Sequence, residues 1–355
     1  MPTLQASDID DMVVATLRDP RRGKLSQIAQ ELQEYEVMSK WLKKDRVVFD
    51  TGYGITETLM DKTQGNASHI GFYEDDNTNA GDHLTQLQVD WVHATTHWVY
   101  DVKEVMMNTG AEKIVDMVNV REAGAMIDIA DILEAAAWSA PATTDVLSPN
   151  GLPYYIRWDD TEGFNGGIDA TSVAGVVTAD HPNYNNYSQT YVNLTKDDGI
   201  RDMRRAHYFI NFKSPVGRAQ FRGNIGQNYR IYCTTETILL FEEYVGAQND
   251  NLGTDVKGYE GMPVFRGNPI IRVPYFDKSG AIVSGSEPIY MINHNVFYPV
   301  ILKNGYMRRT GPHRKGGQHD VRETFIDLSY NFICCNRRAC AIVAKAAPVS
   351  SYPAT

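Results

Sequence analysis

Apolar positions along this chain keep two rhythms, and the switches between them mark its elements. Ile9, Met12, Val13 and Leu17 share one helical face behind Ser7, a good cap, so residues 7–17 read as a short helix. Asp19-Pro20-Arg21-Arg22-Gly23 breaks it. Leu25, Ile28, Ala29, Leu32 and Tyr35 predict a second helix from about Leu25 to Ser39. Neither is long enough to hold alone, so the pair reads as an arm that lies on something else. The rhythm then changes to period two. Arg46–Met60 and Leu84–Tyr100 are rich in Val, Thr, Trp and Tyr and predict two strands. Between them Gly65, Gly71, Asn77, Asn79 and Gly81 form the polar tip of a long two-stranded ribbon. A lone ribbon is marginal in water, so this one is expected to pack on another surface, such as that of a neighbouring copy.

The longest helical pattern runs from about Ala111 to Trp138. Ile114, Val118, Ala125, Ile129, Ile132 and Ala136 form its apolar stripe, and Glu112, Arg121, Asp128 and Glu134 are expected to face water. At about 1.5 Å per residue it would span roughly 40 Å before Ser139-Ala140-Pro141 ends it. Residues 141–195 are rich in Pro and Gly and read as loops. A helix is expected from Lys196-Asp197-Asp198 to about Asn211, a strand at Arg230–Thr234, and a helix capped by Thr235 through Tyr244. Short strands follow at Pro263–Phe265, Ile270–Val273, Ile289–Ile292 and Val300–Leu302. Thr324–Lys345 alternates as one or two further strands.

Composition narrows the class. Of 355 residues 43% are apolar and 22% charged, which is a folded chain of one large discontinuous domain or two domains. No signal-like start and no run of roughly 18 apolar residues occurs, so a soluble, non-exported protein is expected. The formal charge of -10 makes tight, direct nucleic-acid binding a poor expectation, though a container wall that repels a polyanion fits it. Cys233, Cys334, Cys335 and Cys340 contain no C-x-x-C pair and read as buried reduced thiols.

Candidate chemistry is sparse. His93 and His97 have the i, i+4 spacing of a helical zinc site, but position 94 is Ala where a metalloprotease carries its general base, and in a strand the two rings lie roughly 13 Å apart. Gly52-Tyr53-Gly54 is too short for a dinucleotide fingerprint, and neither a phosphate loop nor a nucleophile elbow is present. Asp159-Asp160, Asp197-Asp198 and Glu242-Glu243 are acidic pairs of the kind chance produces, with neighbouring residues facing different ways. Arg308-Arg309 with His313-Arg314-Lys315 reads as a basic loop that contacts an acidic neighbour, contacts DNA, or is simply solvated. Tyr184–Tyr191 lacks interleaved Lys or Arg and reads as packing. No catalytic, cofactor-binding or metal-binding residue is assigned.

The order of these elements resembles the major capsid proteins of tailed bacteriophages, which have the Hong Kong 97-like fold. The pieces that carry the resemblance are Leu32–Tyr35 with Trp41–Lys44, Val47–Gly52, His69–Tyr73, Trp91–Thr96, Glu134–Pro141, Gly163–Gly167, Gln248–Gly253, Gly261–Phe265 and Leu328–Arg338. The resemblance implies an α+β fold with residues 1–45 as N-terminal arm, 46–100 as the extended E-loop, and 101–195 as spine helix and peripheral domain completed by 321–347. Residues 196–320 would form the axial domain and 348–355 a C-terminal tail. It implies a non-enzymatic subunit without cofactors that self-assembles into pentamers and hexamers and encloses double-stranded DNA without reading its sequence. Portal and scaffold or decoration proteins would be partners, and the virion, assembled in the host bacterial cytoplasm, its location. Some relatives crosslink an E-loop lysine, and Lys62 lies near the tip. Two rivals stand beside this expectation: a nanocompartment shell of the same fold, of the encapsulin kind, and a hydrolase with an unrecognised site.

Overall fold

The structure, a computed structural model, describes residues 29–42, 47–63, 65–73, 75, 80–107, 111–142, 144–212, 228–248 and 263–352. Residues 7–17, 25–28, 43–46, 76–79, 249–253 and 261–262, on which expectations above rest in part, lie outside them. In chain order come β1 (Val48–Asp50), β2 (Gly54–Met60), β3 (Leu84–Asp90) and β4 (Val92–Asp101), then α1 (Val102–Met107) and α2 (Ala111–Ala137). The single turn α3 (Leu152–Tyr155) leads to β5 (Gly163–Gly166), the hairpin β6 (Ser172–Val173) and β7 (Val176–Val177), and β8 (Asn186–Thr190). Next are α4 (Gly199–Ile210), β9 (Tyr229–Cys233) and α5 (Thr235–Gln248). The strands β10 (Val264–Phe265), β11 (Asn268–Arg272), β12 (Ile289–Asn293), β13 (Phe297–Leu302), β14 (Arg308–Arg314), β15 (Val321–Cys334) and β16 (Ala341–Ala344) complete the order.

Two sheets organise these elements. A five-stranded sheet runs β1–β13–β15–β14, and β4 also pairs along β15. A seven-stranded sheet runs β10–β11–β9–β12–β16–β8–β5. Its central strands read as unbroken apolar runs because both faces are covered. In β9, Tyr229, Ile231 and Cys233 point to a cluster shared with α4 and α5, while Tyr232 points to the main core. In β12 the same alternation sends Ile289 and Met291 one way and Tyr290 and Ile292 the other. The main core lies between this sheet, the five-stranded sheet and the end of α2. At its centre Trp41 packs against Trp138, Tyr232, Phe297 and Phe332, with ring centroids 5.0–5.9 Å apart.

Several expectations need correction. The helix from Leu25 to Ser39 is not formed over its described part: residues 29–35 are irregular and a single π-type turn covers Val37–Trp41. Burial decides this, because Val37, Trp41 and Leu42 all enter the core and a continuing α-helix would turn one of them out. The two long strands are each broken, at residues 51–53 and at Trp91. Only their distal halves form the ribbon, with Gly54↔Asp90 to Met60↔Leu84 antiparallel. Their proximal halves belong to the body, β1 parallel to β13 and β4 antiparallel to β15. On α2 the expected stripe holds at Ala125, Ile129 and Ala136, which are buried, but Ile132 is 53% exposed and Leu133 is buried beside the stripe instead. Ile132 lies seven residues after Ala125, and a seven-residue step drifts off the buried face of a 3.6-residue helix. Thr234, not Thr235, caps α5, since its hydroxyl accepts the Thr237 amide. The basic loop at 308–315 is the exposed edge strand β14, whose Arg308 and Arg309 pair with Asp327 and Glu122.

The loop-rich stretch 141–195 is an ordered brace. β8 joins the large sheet beside β16, and Asn186 and Ser188 tie the chain back to residues 157 and 159 through backbone contacts. Fully buried Arg337 closes this region, donating to the carbonyls of Tyr155 and Gly166 and to Asn186 Oδ1 while its guanidinium lies 5.2 Å from the Tyr184 ring centre.

Candidate assembly surfaces

The ribbon is built in two zones. At its root the Trp91 indole donates to the Gly52 carbonyl (3.0 Å), and Gly52 takes φ +129°, a left-handed backbone that lets the chain leave the body sheet. Ile55, Leu87 and Val89 on one face are buried in the main core. The β6–β7 hairpin supports them from the side. Its turn residues Ala174 and Gly175 both have positive φ, as a tight two-residue hairpin requires. The Ala174 carbonyl accepts the Gln88 amide (3.0 Å), and its own amide donates to Tyr154 Oη (3.0 Å). His181 pairs with Asp61 (2.9 Å), and Asn183 donates to the Asp61 carbonyl (3.2 Å). Beyond Asp61 this support ends. Met60, Ile70, Phe72, Tyr73 and Leu84 are exposed, Phe72 at 98%. Aromatic and aliphatic side chains concentrated at one projecting end form a surface that favours cover. Lys62 is exposed at the same end.

The arm meets the body at the end of α2. Helical spacing places Glu134 opposite the buried stripe, where water was expected. The structure instead buries it completely, because the turn at Val37–Trp41 covers that side. Its carboxylate accepts the Val37 amide (2.9 Å) and the Trp138 indole N–H (2.7 Å). Burial pushes its pKa up to about 7 against these two donors, and the Glu36 charge adds to the rise. Glu36, also buried, is held by Lys40 and Arg230. Trp41 completes the fastening by donating to Tyr232 Oη (3.0 Å), which contacts His294 Nε2 (2.6 Å). Nothing in the periodicity flagged Glu134; an acid four residues before a tryptophan at a helix end was the only available signal.

The residues weighed for chemistry fall on these scaffolds without converging. His93 and His97 lie on strand β4, His93 against Ser329 (2.7 Å) and His97 against the Phe325 ring. The Asp198 carboxylate accepts the amides of Val192 and Asn193. Glu242 and Glu243 are exposed on α5, and Asp159 and Asp160 sit in a turn before β5. Tyr184, Tyr187 and Tyr191 are buried, so they pack. All four cysteines are buried thiols outside any disulfide. Among the described residues no group of three or more His, Cys, Asp or Glu is placed to hold a metal, and no helix is long and apolar enough to cross a membrane.

The described residues make an α+β body with an extended N-terminal segment, a two-stranded ribbon with exposed apolar side chains at its end, and a long helix. The particular fold is the Hong Kong 97-like fold of phage capsid proteins. The chain of the Cyanophage A-1(L) capsid superposes with a TM-score of 0.62 at 13% identity, over 92% of this chain and 96% of that one. The capsid chain of a native GTA particle gives 0.55 at 12% identity, over 93% and 96%. The Cyanophage Pam1 capsid chain gives 0.50 at 12% identity, over 97% and 98%. No protein-family model and no curated sequence matches the chain. The likeness therefore resides in the fold, which spans both partners nearly end to end.

Proposed function

We propose that this chain is the major capsid protein of a tailed bacteriophage. Copies would associate into pentamers and hexamers and close into an icosahedral head around double-stranded DNA. The observation that carries this reading is the ribbon end: a capsid fold whose projecting tip exposes Met60, Phe72, Tyr73 and Leu84 has its natural cover on another copy. Contact between different surfaces of identical subunits builds rings and lattices. The net charge of -10 supports a wall that leaves the genome mobile.

On this reading residues 1–45 are the arm, 46–100 the E-loop, 101–195 with 321–347 the spine and peripheral domain, 196–320 the axial domain, and 348–355 the tail. The continuous seven-stranded sheet would join axial and peripheral parts through β8, β16 and β12. The role is structural and not enzymatic, in the virion after assembly in the host cytoplasm, with portal and scaffold or decoration proteins as partners. Negative-stain electron microscopy of the purified full chain tests it. Shells, tubes or six-membered rings are expected; a uniformly monomeric protein at tens of micromolar would overturn it.

A further inference from the structure

Two helices lie on one face of the seven-stranded sheet, and their outward sides are chemically opposite. α4 packs on β8 and β16, α5 on β11, so they lie towards opposite ends of the strand order. Met203 and Ile210 of α4 share one apolar cluster with Phe241 of α5 and with Ile231 and Met291 beneath them, which places both helices on the same side.

The outward side of α4 carries Arg201, Arg204, Tyr208 and, just past its end, Phe212, at steps of three and four, with Phe209 beside them; all five are exposed, Tyr208 at 71%. Neither Arg201 nor Arg204 forms an ion pair among the described residues, whereas Arg205 is tied to Glu162 (2.6 Å). Further cations flank the aromatic end: the Arg266 guanidinium lies 4.2 Å from the Tyr208 ring centre and that of Arg338 5.2 Å from Phe212. The outward side of α5 carries Glu236, Leu239, Leu240 and Glu243, with Glu242 adjacent, all exposed. None of these glutamates forms an ion pair among the described residues.

We propose that these faces are the two halves of one contact: the basic, aromatic face of α4 on one copy docks on the acidic, leucine-bearing face of α5 on the next. This rests on the shell-subunit reading and names the surfaces it uses. Charge complementarity selects a second copy as the occupant, because each face has its complement on the chain, on a helix packed over other strands of the sheet, and no ion pair joins the two helices among the described residues. A contact between two different surfaces repeats in one rotational sense and makes a ring where that rotation closes.

The full chain carrying Arg201→Glu with Arg204→Glu presents two acidic faces, and the chain carrying Glu242→Arg with Glu243→Arg presents two basic ones. Each is expected to sediment as unassembled protein with an unchanged melting temperature. Mixed one to one they can only alternate, so six-membered rings and tubes return while five-membered rings, and with them closed icosahedral shells, do not. The fourfold charge-exchanged chain restores both ring sizes. Should an exchanged variant fail to fold, Arg201→Gln/Arg204→Gln and Glu242→Gln/Glu243→Gln serve instead, each raising the assembly threshold about tenfold.

Single-face variants that assemble like the parent, or folded variants rescued neither by mixing nor by exchange, overturn the contact. So does loss of salt-dependent DNA retention in the α4 variant with assembly intact, which would assign that face to a polyanion. Failure of the unaltered chain to assemble overturns the shell reading itself, whatever the variants do.

Discussion

Glu134 makes the fastening of the arm sensitive to pH. Its carboxyl is fully buried between the Val37 amide and the Trp138 indole, with Glu36 nearby and Lys40 and Arg230 engaged by Glu36. Its pKa rises from 4.5 to about 7, chiefly through burial. At about 1.4 kcal/mol per unit this is worth about 3 kcal/mol. The folded chain holds this proton more tightly than the unfolded chain, so stability falls as pH climbs from 4.5 through 7 and is level on either side. Glu134→Gln removes the titration while keeping the shape. Its amide resembles the protonated carboxyl in offering one carbonyl acceptor, so the two proteins differ by no more than about 1 kcal/mol at pH 4, where the parent is protonated. Urea unfolding of parent and variant on the unassembled chain, from pH 4 to 8, gives the difference directly. Asp202, raised to about 6 by burial, and His207, lowered by burial, titrate in both proteins and cancel. The parent should lose about 3 kcal/mol relative to the variant across this span. A difference constant to within about 0.5 kcal/mol would refute the assignment of that proton to Glu134.

Trp41→Ala empties the centre of the aromatic core and should cost about 3–5 kcal/mol in chemical denaturation, with faster proteolysis near residues 29–42. Arg337→Met strips donors from two buried carbonyls and Asn186 and should cost at least about 3 kcal/mol. Gly167→Ala should be comparably severe, because its added carbon would lie 2.2 Å from Arg337 Nη2 on a backbone at φ +95°. Phe72→Ser with Tyr73→Ser should leave subunit melting within about 0.5 kcal/mol of the parent while light scattering shows assembly lost.

Strong local periodicity made much of the fold legible. α2 and α4 fall where apolar spacing put them, and the alternation in β15 read correctly because one long strand is paired along most of its length. The two ribbon strands were found, but their breaks were not: Gly52 and Trp91 interrupt them through a contact across 39 positions that no local pattern encodes. The arm turn at Val37–Trp41 failed as a helix for the same reason, since tertiary burial of Trp41 outweighs local propensity. Residues 141–195 looked like loops because their strands are two to five residues long and many of their hydrogen bonds run through Asn and Ser side chains. Of the candidate surfaces, the ribbon was anticipated, but its tip was expected to be polar, and the exposed Ile70, Phe72 and Tyr73 there correct that reading. The Glu134 fastening and the opposed faces of α4 and α5 required knowing which elements lie next to each other.

The central claim is that the ribbon tip is covered by another copy of the chain. A cryo-electron microscopy reconstruction of particles assembled from the purified protein tests it most directly. The account predicts density for Phe72 and Tyr73 against a neighbouring subunit. Particles in which those rings stand in solvent, or turn back onto their own subunit, would contradict it.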